Sequence, residues 1–96
     1  MIGSFADEGT EDIYHGVRSK KAAKLPPDIL TVALRKLDMI NSASKIDDLR
    51  IPPNNRLEKL AGNLIGFHSI RINDQFRVIF KWNDGVATEV AIVDYH

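Results

Sequence analysis

Ninety-six residues, 44% of them hydrophobic and including one Trp, suffice for one small core, and a chain of this length is expected to fold as a single domain over residues 1–96. Cysteine is absent, which excludes a disulfide framework, a thiolate metal site and a cysteine nucleophile, and fits a reducing compartment. Thirteen Lys and Arg balance thirteen Asp and Glu, so bulk positive charge cannot drive nucleic-acid binding and any phosphate site has to be built locally.

The opening "MIGSFADEGTEDIYHG" has no basic stretch leading into a long apolar run. Nowhere do about eighteen apolar residues follow one another, so neither a signal peptide nor a membrane span is expected, and a cytoplasmic location follows. Ile2 to Phe5 reads as a short strand. Four acids between Asp7 and Asp12 then suit a helix N-terminus, with Thr10 as its cap. "RSKKAAK" places four bases between Arg18 and Lys24, to be read either as a solvated connection or as a binding patch. After Pro26 and Pro27, the residues Ile29, Ala33, Leu37 and Ile40 recur at helical spacing with Leu30 and Leu34 beside them, which predicts an amphipathic helix. Ser44, with Asp47 three residues on, starts a short helical turn that Pro52 and Pro53 end.

From there the period changes. "RLEKLAGNLIGFHSIRI", "QFRVIFKW" and "VATEVAIVD" are strand-like and are broken by Gly62-Asn63, Asn73-Asp74 and Asp84-Gly85. Helices first and an antiparallel meander after, with an extra strand at the start, predict an α+β domain with its N-terminal helices on one face of a small sheet. Ile70, Ile72, Phe76, Val78, Phe80 and Trp82 share parity and should face the helices. A turn centred on Asp74 then pairs Ile70 with Val78 and sets Arg71 directly opposite Arg77 on the open face. Like charges in that position are destabilising. Either an anion sits between the two guanidiniums, or they splay into water or pair with Glu58 or Glu89. "NDG", Asn83 to Gly85, reads as a three-residue loop with Gly85 in the left-handed conformation, pairing Trp82 with Val86 and Val78 with Val90. Tyr95 then shares the arginine face, whereas Asp94 and His96 point nominally to the other. Only a bulge or sheet twist would bring Tyr95 beside Arg77.

Arginines, a Tyr, a His and a carboxylate around an open sheet face are the parts that RNA cleavage needs. The 2′-hydroxyl attacks its own phosphate, so the protein supplies a base, an acid and positive charge. His96 has the intrinsic pKa suited to proton transfer near neutrality. Tyr95 would donate to the leaving oxygen or stack on a base, Arg77 and Arg71 would hold phosphate, and Asp94 would orient its neighbours. Blander readings stand beside these: a solvated terminal His96, a Tyr95 that caps the core, an Asp94 that only ends a strand. His68 has core-face parity and reads as a satisfied buried or rim histidine, and His15 carries less weight still. No glycine-rich phosphate loop is present and the three histidines are scattered, so no cofactor or metal is expected.

"MIGSF", "PPNNRLEKLAGN", "GFHSIRINDQFRVIFKW" and the terminal "VAIVDYH" resemble the HigB-type toxins of the RelE/ParE superfamily, especially their host-growth-inhibitor branch. The resemblance covers nearly the whole chain. Its second half is the specific part, and Arg18 to Asp48 matches only in length and pattern. It implies a RelE-like fold and a ribosome-dependent endoribonuclease that cuts mRNA in the decoding site. It further implies silencing by a HigA-like helix-turn-helix antitoxin from the same operon, through which alone operator DNA would be met. Asp94, Tyr95, His96 and Arg77 take the family's catalytic positions, and Arg71 matches its "SIR". Arg56, Glu58 and Lys59 join Arg71 as the RNA-contacting group. Some members have a catalytic His in the segment where this chain has Glu58, which together with the zero net charge predicts a weaker or slower toxin. The alternatives are a gyrase-directed member of the same superfamily and a non-catalytic module that only docks a partner protein.

Overall fold

The computed structural model describes residues 1–95. Two helices, α1 (Glu8–Tyr14) and α2 (Pro27–Ser42), precede four strands, β1 (Glu58–Lys59), β2 (Phe67–Arg71), β3 (Phe76–Asn83) and β4 (Val86–Asp94). The strands form one antiparallel sheet in the order β1-β2-β3-β4. The expected α+β meander with helices on one face is the observed architecture.

Pro27 opens α2, where its preset φ costs nothing and its missing N–H would have had no helical partner. One stripe of the helix, Ile29, Ala33, Leu37 and Ile40, is buried. It joins Ile70, Ile72, Phe76, Val78 and Phe80 of the sheet in a single core. Those even-numbered residues face the helices as their parity predicts. α1 is capped by Asp7 rather than Thr10: the Asp7 carboxylate accepts from the Thr10 N–H at 2.7 Å and from the Thr10 hydroxyl at 3.2 Å. Thr10 is buried because its hydroxyl accepts the Ile92 N–H at 3.0 Å, which ties α1 to β4. The basic connection contains a short 3-10 turn, Ala22–Lys24, and Lys21 pairs with Glu8 at 2.9 Å. The turn after α2, Ile46–Arg50, is held by Asp48, not by Ser44 and Asp47. Its carboxylate reaches back to accept the Ser44 and Lys45 N–H groups at 2.9 and 3.2 Å, and those two bonds hold it below the usual carboxylate range.

The β2–β3 register is the expected one, with Ile70 opposite Val78 and Arg71 opposite Arg77. The β3–β4 register differs twice. The connection is a two-residue turn in which Asp84 and Gly85 both have positive φ, 50° and 79°. This mirror-image turn matches the strand twist and pairs Trp82 with Ala87, not Val86. Beyond Lys81 and Thr88 the ladder slips by one residue, so that Val78 meets Ile92, not Val90. Glu89 is the extra residue of this bulge, with φ 52°. Its N–H donates to Ser4 Oγ at 2.9 Å and its carboxylate meets Lys81 at 3.0 Å. The slip turns Ala87, Val90 and Ile92 toward the helices although their numbers do not share parity.

The opening segment lies parallel to β4, with Gly3 N–H donating to Ala87 O at 2.7 Å and Ala6 N–H to Val90 O at 2.9 Å. The bulge interrupts the pairing, so two isolated bridges, Ile2 with Ala87 and Phe5 with Val90, stand where a continuous strand was expected. Among the described residues no helix is long and apolar enough to cross a membrane.

Candidate active site

Arg77, the second residue of β3, lies on the open face and is only 8% exposed. Its Nε–H donates to Ser69 Oγ at 2.9 Å, and its Nη2 donates to the Arg56 carbonyl at 2.6 Å and to Ser69 O at 3.4 Å. Ser69, fully buried, stands diagonally across the ladder on the same face. The guanidinium is thereby fixed in plane and azimuth. No carboxylate among the described residues pairs with it. Over one of its faces lies the Tyr95 ring, with Cζ 5.4 Å from the centroid, a distance at which the ring's quadrupole attracts the cation.

Turn and bulge together bring Tyr95 there. Each moves β4 one residue along β3 relative to a three-residue loop with no bulge, so Arg77 faces Val93. Tyr95, two residues on, becomes its diagonal neighbour. The ladder extends past β4, with Tyr95 N–H donating to Gln75 O at 2.7 Å. The ring remains 45% exposed, so it is accessible from solvent.

Arg71, opposite Arg77, bonds through Nη2 to the Asp74 carboxylate in the hairpin turn. Of the two acids that the sequence offers as partners, Glu89 is engaged by Lys81. Glu58 sits opposite Ser69, hence on the same face as Arg77, and is exposed. Arg56 enters the site through its backbone: it is left-handed, φ 47° and ψ 55°, and offers its carbonyl to Arg77. Lys59 is opposite His68, on the other face, so the structure does not group it with the arginines. Asp94 is opposite Phe76 and accepts from Gln75 Nε2 at 3.0 Å. His96 lies outside the described residues. Arg77, Tyr95, Arg71, Glu58 and the Arg56 carbonyl therefore share one face, whereas Asp94, opposite Phe76, has the parity of the other.

His68 does sit on the core side, stacked on Phe80 with centroids 6.0 Å apart. It is not satisfied, however: its buried Nδ1 has no hydrogen-bond partner among the described residues. Burial, then the nearby Lys59 charge, push its pKa below the ordinary value of 6.5. His15 ends α1 in an aromatic cluster with Phe5 and Tyr14, at 6.0 and 5.5 Å. Among the described residues no His, Asp and Glu side chains are grouped so that three or more could hold a metal ion.

Three residues behind this face were not singled out from sequence: Ser69, Asn55 and Lys36. Lys36, on α2, is 5% exposed and donates to Asn55 Oδ1. Burial, followed by the charges of Arg35 and Arg71, lowers its pKa. Asn55 closes the short turn Pro53–Asn55, immediately before Arg56. The only signal for it was its place in "PPNNR", a proline-stopped turn leading into the strand region.

A sheet flanked by two helices on one side, with a buried arginine on the other, makes a small α+β fold. The same fold occurs in the YoeB–YefM complex from Staphylococcus aureus, with a TM-score of 0.61 at 19% identity over 100% of this chain and 98% of that one. The family model for the HigB RelE-like toxin of type II toxin–antitoxin systems matches residues 3–96, and the chain belongs to that family. Toxin HigB-1 of Vibrio cholerae serotype O1 is 46% identical over 87 residues, 91% of this chain and 90% of that protein. An uncharacterized protein of Haemophilus influenzae is 44% identical over 62 residues, 65% of this chain and 61% of its own length.

Proposed function

We propose that this toxin is an endoribonuclease that cuts mRNA on the ribosome, by attack of a 2′-hydroxyl on the adjacent phosphate. The observation that carries the reading is Arg77: a buried guanidinium, held by Ser69 and Arg56 and stacked on Tyr95, with no described carboxylate to neutralise it. A desolvated guanidinium favours an arriving anion, and a phosphate on the open face supplies one. Arg77 then stabilises the charge that develops on the phosphorane, and Arg71, partly exposed beside Asp74, meets a neighbouring phosphate. Tyr95 protonates the leaving 5′-oxygen or stacks on the flanking base, and Asp94 orients the chain end. His96 takes the 2′-hydroxyl proton as general base. With no protein nucleophile, no covalent intermediate forms.

The partner implied is a HigA-like helix-turn-helix antitoxin, with operator DNA met only through it; the Staphylococcus aureus YoeB relative is itself in complex with YefM. Expression of the chain with and without His96→Ala, followed by mapping of RNA ends, tests the reading. Growth arrest with new mRNA ends that depend on His96 supports it. DNA-damage signalling over intact mRNA would replace it by a gyrase-directed toxin, and arrest with neither would leave a protein-binding module.

A further inference from the structure

Five polar or charged side chains are buried among the described residues: Thr10, Lys36, Asn55, Ser69 and Arg77. Thr10 is accounted for by the α1 cap and the Ile92 N–H. The other four form two bonded pairs, Lys36 with Asn55 and Arg77 with Ser69. The pairs are joined through adjacent residues: Asn55 is followed by Arg56, whose carbonyl accepts from Arg77 Nη2 at 2.6 Å.

Stability alone does not account for Lys36. It borders the stripe of Ala33, Leu37 and Ile40, where an apolar side chain of similar length would pack without the cost of desolvating an ammonium. Its ammonium donates to Asn55, whose amide nitrogen donates in turn to Leu49 O at 3.1 Å and Ile51 O at 3.4 Å. The side chain of Asn55 thus joins α2 to the loop that crosses toward the sheet. Directly after it, Arg56 adopts a left-handed conformation that a non-glycine residue holds only where its surroundings fix it. The result of that conformation is a carbonyl aimed at Arg77.

We propose that Lys36 and Asn55 are positioning residues for Arg77: the buried ammonium–amide clamp fixes the Arg56 carbonyl, and the carbonyl fixes the guanidinium that receives phosphate. The role in cleavage rests on the endoribonuclease reading above, whereas the geometric link does not. Lys36→Met keeps the length and the apolar stem while removing the charge and the donor.

Two measurements on the full chain test the link. In cleavage of mRNA on programmed ribosomes, Lys36→Met lowers kcat about tenfold, as expected for a misaimed group, with KM within about twofold. In an Arg77→Ala background the same substitution has no further effect. In ¹⁵N spectra of the free protein, the Arg77 Nε–H signal exchanges with water faster in Lys36→Met than in the wild type. A purely structural Lys36 would lower the melting temperature but leave the kcat and KM split and the Arg77 signal unmoved, and that result overturns the proposal. If Lys36→Met does not fold, Lys36→Leu, which likewise removes the charge and the donor, is read the same way, and wild-type values for both readouts overturn it equally. A wild-type chain that leaves ribosome-bound mRNA intact refutes the endoribonuclease reading instead, and the Arg77 signal still decides the positioning.

Discussion

Arg77 and His68 show how opposite environments arise on two faces of one sheet. Arg77 is buried and makes three donor contacts to Ser69 and the Arg56 carbonyl, so it is held in one orientation. His68, stacked on Phe80, has a buried Nδ1 with no described partner, and burial favours its neutral form. Its folded pKa lies below the unfolded value of about 6.5, so the unfolded chain binds the extra proton first and stability falls as pH drops below that value. His68→Phe keeps the stack and removes the titration. Its melting temperature should therefore decline less than the wild type's between neutral pH and pH 5, and parallel declines would contradict the assignment. The facing arginines could be read from sequence because parity alone sets them opposite each other. Lys36 and Asn55 could not, since one buried ammonium–amide bond between α2 and a loop leaves no periodic mark.

Among the elements, the contrast lies between two hairpins. The β2–β3 register was legible because any one-residue slip mixes Ile70 and Val78 with arginines. The β3–β4 register was not, because it depends on a tighter turn and on Glu89, a residue type that gives no hint of a left-handed φ. In the full-length strand that bulge nevertheless decides where Tyr95 lies. Glu89→Gly relieves the positive φ and removes only an exposed ion pair with Lys81, worth about 0–1 kcal/mol, so stability should change by less than about 1 kcal/mol in denaturant melts. Deleting Glu89 instead removes the extra residue, so Val90 would meet Phe80 while Ile92 stays opposite Val78 and Tyr95 stays diagonal to Arg77. Cooperative unfolding and cleavage should therefore survive the deletion, and loss of both would contradict this assignment of the bulge. In the helical layer, Leu37 is completely buried under the sheet, and Leu37→Ala should cost about 2–5 kcal/mol of unfolding free energy.

Across the whole molecule, the helices form the core with one sheet face and leave the other to the arginines. With no net charge to draw RNA from a distance, activity has to come from that local cluster. The family and the fold followed from sequence because strand parity and the block from "PPNNR" to "VDYH" run through the second half of the chain. The site was only partly legible, since the loop carbonyl of Arg56 and the approach of Tyr95 depend on backbone turns that side-chain patterns do not encode. Arg77 is the group proposed to receive the scissile phosphate. Its most direct measurement is the first-order rate of mRNA cleavage on programmed ribosomes by folded Arg77→Ala relative to wild type. A loss of about 10²–10³-fold is predicted, the scale of removing a preorganised charge donor, and a rate within twofold of wild type would contradict it.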